Sequence, residues 1–149
     1  MIAVIQRVTE ATLRIEQAIF SQIGTGFLVL LGIHESDGIE DVNYLAQKIS
    51  GLRIFSDEEG KMNLDLQQVH GDILLVSQFT LYANTKKGNR PSFIEAARPE
   101  KAIPLYEKMI QSLEEKLGKK IQTGQFGADM KISLINDGPV TIMIDSKNP

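Results

Sequence analysis

The sequence contains no cysteine and only two histidines among its 149 residues. The absence of cysteine excludes disulfide bonds, thiolate metal sites and a cysteine nucleophile. It fits the reducing cytoplasm, which is where we expect this chain to act. No apolar run approaches the length of a membrane-spanning helix, and the first residues lack the basic and apolar segments of a signal peptide. We therefore expect no membrane partner.

The sequence also lacks an excess of basic residues. It has 16 lysines and arginines against 19 acidic residues, a net charge of −3. Bulk charge of this sign disfavours non-specific binding to nucleic acid, so we expect no DNA partner, although a local basic patch could still contact phosphates. His34 and His70 lie in predicted turns, and no spacing joins them to carboxylates as metal ligands. We expect neither a metal ion nor a cofactor.

The length of the chain predicts a single domain over residues 1–149. Apolar residues at i, i+3, i+4 spacing predict two helices, one opening at Asp37-Gly38 and one running from about Pro99 to Leu117. Pro104 lies inside the second helix and could delay its start. Alternating and continuous apolar runs predict strands: two short ones around 9–11 within 2–15, then 18–24, 26–33, 52–55, 72–82, 120–125, 130–136 and 139–145.

The order of these elements predicts the fold class. Strands outnumber helices, and several connections are too short for a parallel crossover. We therefore expect an α+β domain whose sheet is mixed, largely antiparallel and strongly curved or barrel-like, with two helices packed on it.

The end of the predicted strand 72–82 carries polar residues beside a long apolar run. In an extended strand, Ser77 and Phe79 would share one face, and Gln78 and Thr80 would share the other. The strand could simply become polar where it reaches the edge of the sheet. Alternatively, a buried strand delivers these polar groups to the rim of a pocket, as binding sites commonly require. The residues alone leave both interpretations open.

Two further segments allow a functional interpretation. Lys86, Lys87 and Arg90 lie on one polar loop, which is either solvated or a clamp for phosphate groups. Gly138-Pro139 interrupts two strand patterns within NDGPVT. Because proline donates no ladder hydrogen bond, Pro139 must lie at a strand start, a bulge or an edge. The pattern does not decide between a cis and a trans bond.

Segments spread over nearly the whole chain together resemble one known family. They are AVIQRV, LVLLGI, LRIF followed by GKMN, VSQFTLYA, KGNRPSF, QTGQFGADM and NDGPVT. In this order and spacing they resemble the D-aminoacyl-tRNA deacylase family. The resemblance implies an esterase that removes D-amino acids attached in error to tRNA, and glycine mischarged onto alanine tRNA. It also implies a homodimer with its two active sites at the subunit interface.

The resemblance assigns roles to individual residues. A cis Gly138-Pro139 would enter the active site of the partner subunit, where rigid backbone carbonyls would hold the α-amino group and exclude an L side chain by clash. Glycine passes the same filter because it has no side chain. The implied residues are Ser77, Gln78, Phe79 and Thr80 for catalysis, Met130, Gly138 and Pro139 for substrate binding, and Lys86, Lys87 and Arg90 for tRNA binding.

The chemistry of an aminoacyl ester fits the absence of a catalytic side-chain set. The ester is already activated, so hydrolysis needs a positioned water and stabilisation of the developing oxyanion. The resemblance implies that the 2′-hydroxyl of the terminal adenosine assists, and that backbone N–H groups near Phe79 and Thr80 hold the oxyanion.

Two other functions are compatible with the residues. A small-molecule esterase would use Thr80 as its nucleophile, but no base partner is visible and a threonine hydroxyl is weak without one. A non-catalytic RNA-binding module would use the loop 86–90. The acidic balance of the chain and its lack of a stacking-aromatic motif count against that module.

Overall fold

A strongly curved six-stranded sheet dominates the computed structural model, which describes residues 1–149. A two-stranded sheet and two long helices complete the fold. The strands are β1 (Ile2–Ile15), β2 (Ala18–Ile23), β3 (Gly26–Gly32), β4 (Phe55–Ser56), β5 (Met62–Leu64), β6 (Asp72–Ser77), β7 (Gln122–Thr123) and β8 (Lys131–Asp145). The helices are α1 (Ile39–Ser50), a short 3₁₀ helix (Phe79–Tyr82) and α2 (Pro99–Leu117).

The main sheet runs in the order β2-β1-β3-β6-β7, and β8 pairs with the other edge of β1. The pairs formed by β1 are antiparallel, whereas β3–β6 and β6–β7 are parallel. The hydroxyl of Ser21 on β2 donates to the carbonyl of Thr123 on β7 at 2.8 Å, which links the two ends of this path. The sheet is therefore a nearly closed barrel, and the predicted fold class is confirmed.

The two helices pack against each other and bury their apolar faces in the main core. On α1, Val42, Leu45 and Ile49 are completely buried, in agreement with the predicted helical spacing. The phenol of Tyr106 on α2 donates to the carbonyl of Leu75 at 2.7 Å, and burial raises its pKa to about 12. Neither helix is both long and apolar enough to cross a membrane.

The ends of α2 follow local rules. The helix begins at Pro99, so the internal and exposed Pro104 does not delay its start. It ends at Leu117, and the next residue, Gly118, has a φ of 68°, a left-handed conformation that glycine adopts without steric cost.

Several strand boundaries differ from the sequence prediction: the predicted strands 52–55 and 120–125 are the shorter β4 and β7. β1 is one strand rather than two, and it passes through an irregular register between Val8 and Glu10. β8 is also one strand, but Gln6 pairs with Thr141 while Val8 pairs with Asn136. The four residues 137–140 therefore stand out of the ladder opposite Arg7. Pro139 lies in a bulge of an edge strand, one of the positions open to it.

Candidate active site

A cleft of about 600 Å³ opens where β3 and β6 end. Residues 77–79, where β6 passes into the 3₁₀ helix, form its floor, the segment 93–99 forms one wall, and the segment 126–130 forms another. Thr80, the next residue of the 3₁₀ helix, is not part of the lining. The lining is mostly apolar, and the rings of Phe79 and Phe93 meet edge to face with centroids 5.1 Å apart. An apolar cleft with a few polar groups is the usual form of a small-ligand site. Of the predicted residues, it brings together Ser77, Gln78, Phe79 and Met130.

The floor of the cleft corrects the predicted strand 72–82. β6 ends at Ser77, and the chain turns into the 3₁₀ helix, so the strand alternation of residues 77–80 is wrong. The turn packs directly onto Gly32 of β3. A β-carbon built at Gly32 would lie 3.0 Å from Cβ of Leu81 and 3.2 Å from the carbonyl oxygen of Gln78. Because Gly32 has no side chain, the turn can pack directly against β3.

The turn leaves two backbone donors free of helical partners. The first N–H groups of a helix have no intrahelical acceptor, and here the i+3 bonding starts with the N–H of Leu81 on the carbonyl of Gln78 at 3.2 Å. The N–H groups of Phe79 and Thr80 therefore precede the first bond of the turn. Such a pair, beside an apolar cleft, is suited to binding a developing oxyanion.

Thr80 has no base partner. Its hydroxyl accepts a hydrogen bond from the side-chain amide of Gln78, and an amide cannot take up a proton. Histidine is absent from the cleft lining, and the only lining carboxylate, Asp129, is paired with Lys131 at 2.8 Å. Burial, and then the charge of Asp37, raise the pKa of Tyr82 in the same 3₁₀ helix, so its phenol stays neutral. Nothing here activates the hydroxyl of Thr80 as a nucleophile.

Met130 reaches the cleft because a glycine makes room for it. A β-carbon built at Gly124 would lie 2.5 Å from the sulfur of Met130. Gly124 and the strained position Gly127, with a φ of 81°, shape the segment between β7 and β8. This segment connects two of the predicted strands, 120–125 and 130–136. In the structure it is also a cleft wall.

Gly138 and Pro139 do not line the cleft of their own chain. Both are exposed in the bulge of β8, and their peptide bond is cis. Gly138 has a φ of 125°, and a β-carbon there would lie 2.8 Å from Cγ2 of Val140 and 3.0 Å from Nη2 of Arg7. Glycine is therefore required at this position.

Sequence reasoning missed Arg7, which supports this bulge. Arg7 is only 8% exposed, and a guanidinium group is rarely so buried. Nη1 donates to the carbonyl of Ile54 at 2.6 Å, and Nε donates to the carbonyl of Asp137 at 3.1 Å. A cation in the middle of a β-strand pattern was the available signal. These hydrogen bonds join the bulge to the rest of the fold.

The three predicted tRNA-binding cations lie apart from the cleft lining. Two backbone hydrogen bonds between Asn84 and Ser92, of 2.8 and 2.9 Å, close a loop whose tip carries Lys86, Lys87 and Arg90. All three side chains are exposed, and none forms an ion pair. By contrast, Lys119 and Lys120 at the end of α2 are paired with Asp72 and Glu114. The loop tip is the less neutralised of the two basic clusters.

Comparisons with known proteins agree with this architecture. The family model described as D-Tyr-tRNA(Tyr) deacylase matches residues 4–145. A D-aminoacyl-tRNA deacylase of Cytophaga hutchinsonii is 63% identical over 148 residues, which cover 99% of each chain. The solved structure of a c-Myc DNA unwinding element binding protein has a TM-score of 0.91 at 39% identity, covering 97% of this chain and 98% of the other.

A second solved structure is described as a probable eukaryotic D-amino acid tRNA deacylase. It has a TM-score of 0.83 at 17% identity, and the match covers 96% of this chain and 97% of that one. At this identity the likeness establishes a shared fold.

Proposed function

The chain belongs to the D-Tyr-tRNA(Tyr) deacylase family, and from that premise we propose that it removes D-amino acids, and glycine mischarged onto alanine tRNA, from tRNA in the cytoplasm. The family activity is hydrolysis of the ester bond of D-aminoacyl-tRNA, so the chain is a hydrolase acting on esters. The observation that carries the proposal is that Ser77, Gln78 and Phe79 of the SQFT segment line an apolar cleft, with Thr80 next to them in the chain.

The geometry of the floor supports hydrolysis by backbone groups. The ester carbonyl would lie over the 3₁₀ turn, where the N–H groups of Phe79 and Thr80 stabilise the oxyanion that forms when water attacks. No side chain at the floor is placed to act as a base, so the 2′-hydroxyl of the terminal adenosine would assist the water. Met130 and Phe126, which line the opposite wall, would hold the nucleoside.

We place the chiral filter in a second copy of the chain. The Gly138-Pro139 bulge is exposed and lies outside the cleft of its own chain, so it needs a partner to meet a substrate. Its strand, β8, has 15 residues and pairs only on its β1 side. Ile135 and Met143 on this strand are 53% and 71% exposed. A long apolar edge strand is a surface that proteins normally cover, which supports a homodimer built against this edge.

The dimer has a direct test. Sedimentation at micromolar concentration should show two copies, and Met143→Arg should dissociate them and reduce activity. Met62→Arg is the matched control, because Met62 is 55% exposed but lies on β5, outside the main sheet. A wild-type monomer with full activity would contradict the shared site.

The activity itself is tested with D- and L-tyrosyl-tRNA. We expect rapid loss of the D ester and none of the L ester above the spontaneous rate. The same assay with glycine esterified to alanine tRNA tests the proposed clearance of glycine. If both tyrosyl enantiomers are hydrolysed at the same rate, the proposed chiral filter is wrong. If neither enantiomer is hydrolysed, the proposed activity is wrong.

Thr80→Val should retain most of the activity. Valine keeps the shape of threonine and the backbone N–H, and it loses only a hydroxyl that hydrogen bonds to Gln78. We expect kcat on D-tyrosyl-tRNA within about five-fold of the wild type, since an ordinary side-chain hydrogen bond contributes about 1 kcal/mol. A nucleophilic threonine predicts complete loss of activity and a covalent intermediate detectable by mass spectrometry. Loss of activity in a folded Thr80→Val variant, together with a covalent intermediate on Thr80 of the wild type, would favour the Thr80 esterase.

Replacing Lys86, Lys87 and Arg90 together by alanine should weaken binding of tRNA. For each phosphate that the variant no longer neutralises, the dependence of log K on log salt should flatten by about 0.7–0.9. The matched control is alanine at Lys116, Lys119 and Lys120, which removes the same charge from the end of α2. The slope of log K against log salt should become shallower in the loop variant and stay unchanged in the control. Equal slopes in both variants would make the loop tip an ordinary solvated surface.

A further inference from the structure

Arg98 is the only cation in the lining of the cleft. The lining contains one other charged side chain, Asp129, whose carboxylate is held by Lys131 at distances of 2.8 and 3.0 Å. The guanidinium of Arg98 is exposed and forms neither a hydrogen bond nor an ion pair within the chain. The uncompensated charge of the cleft is therefore positive, although the whole chain carries a net charge of −3.

The backbone beneath Arg98 is fixed, so its side chain projects from a rigid wall. The N–H of Ala97 donates to the carbonyl of Ile33 at 2.8 Å, and the N–H of Glu35 donates to the carbonyl of Glu95 at 3.1 Å. The N–H of Arg98 itself donates to the carboxylate of Glu35 at 3.3 Å. These bonds anchor the wall to the end of β3. The fixed backbone limits the positions that the guanidinium can reach to the neighbourhood of this wall.

The free guanidinium has the chemistry of a phosphate ligand. It is planar and always charged, and it donates two parallel hydrogen bonds that match the oxygens of a phosphate. A cleft of about 600 Å³ accommodates a nucleoside with an attached amino acid. In the substrate, the phosphate on the 5′ side of the terminal nucleoside is the anion nearest to the ester, so it is the first anion that a cation in the cleft lining could bind.

We propose that Arg98 binds the phosphate on the 5′ side of the terminal nucleoside and thereby positions the ester over the 3₁₀ turn. This inference rests on the proposed function and deepens it. Arg98 acts as a positioning residue, since it contacts a part of the substrate that does not react. Its contribution is separate from that of the loop tip 86–90, which would contact nucleotides further from the ester.

The test uses two small substrates that differ by one phosphate: the 3′-D-tyrosyl esters of adenosine and of adenosine 5′-monophosphate. Arg98→Ala should raise KM for the phosphorylated ester about five- to twenty-fold, between the value of an exposed ion pair and that of a charge-assisted hydrogen bond. KM for the adenosine ester and kcat for both should stay unchanged. Arg98→Lys should recover part of the loss, because an ammonium group keeps the positive charge but cannot donate two parallel hydrogen bonds.

Arg53→Ala is the matched control, because Arg53 is an exposed arginine that does not line the cleft. Equal losses on both esters, or no loss on either, would overturn the role of Arg98. On D-tyrosyl-tRNA, Arg98→Ala should flatten the salt dependence by about 0.7, and an unchanged slope would also count against it. A wild type that leaves D-tyrosyl-tRNA intact instead overturns the proposed function, and this inference falls with it.

Discussion

Replacing Gly138 by alanine should reduce hydrolysis of D-tyrosyl-tRNA by roughly 100-fold, the effect of misplacing a catalytic constellation by about 1 Å. Two features of the structure produce this expectation. The φ of 125° is a conformation that L side chains rarely adopt, and the added β-carbon would meet Val140 and Arg7 at 2.8 and 3.0 Å. The bulge must therefore move, and whatever its backbone presents to a bound substrate moves with it.

The matched control for this variant is Gly60→Ala. Gly60 also has a positive φ, 77°, but a β-carbon there would meet nothing within 4 Å. Both variants should lose about 1–3 kcal/mol of stability from backbone strain, measured by urea unfolding. Only Gly138→Ala should lose activity when the assays are run on fully folded protein. Parallel loss of activity in both variants, or full activity in Gly138→Ala, would show that the bulge does not form part of the active site.

Arg7→Ala should lower the free energy of unfolding by about 3 kcal/mol, because it leaves buried polar groups without partners. The carbonyl of Ile54 loses the hydrogen bond from Nη1, and the carbonyl of Asp137 loses the hydrogen bond from Nε. Activity on D-tyrosyl-tRNA should fall further than stability requires, since the bulge is no longer tied to the core. Arg7→Lys should rescue little, because one ammonium group cannot reach both carbonyls.

Two controls separate the parts of this effect. Arg14→Ala removes a partly exposed arginine from the same strand and should leave both stability and activity nearly unchanged. Asp137→Asn keeps the backbone carbonyl of residue 137 and removes only the ion pair with Arg7. The carboxylate side chain of Asp137 is 45% exposed. Such a pair contributes about 0–1 kcal/mol. If Asp137→Asn were as damaging as Arg7→Ala, the ion pair rather than the backbone hydrogen bond would hold the bulge.

Local patterns predicted most of the regular elements because those elements depend on local spacing. The faces of α1 and α2 and the long runs of β3 and β6 are examples. The end of β6 could not be found in this way, since Gln78 to Tyr82 continue to alternate as a strand would. What ends the strand is the packing of the turn onto Gly32, which lies more than 40 residues earlier in the chain.

The site shows the same division between local and distant information. A Gly-Pro pair predicted an interruption near residue 138, and the structure has a four-residue bulge there. Its support by Arg7 joins positions 130 residues apart, and no spacing rule reaches so far. The continuation of β8 as one strand on both sides of the bulge, with a shifted register, was equally hidden. It is set by pairing with β1, which continues past the interruption.

The pairing of β1 with β8 has a consequence for how the molecule is made. Partners in this ladder lie between 117 positions apart, for Arg14 with Lys131, and 143 positions apart, for Ile2 with Asp145. Pairings of such long range carry a large loop-closure cost and slow the search for the native topology. During synthesis, the edge of β1 stays unpaired until residues 131–145 have left the ribosome. The helices and the β1–β3 pairs can form early, whereas the addition of β8 to the edge of β1 is a late event.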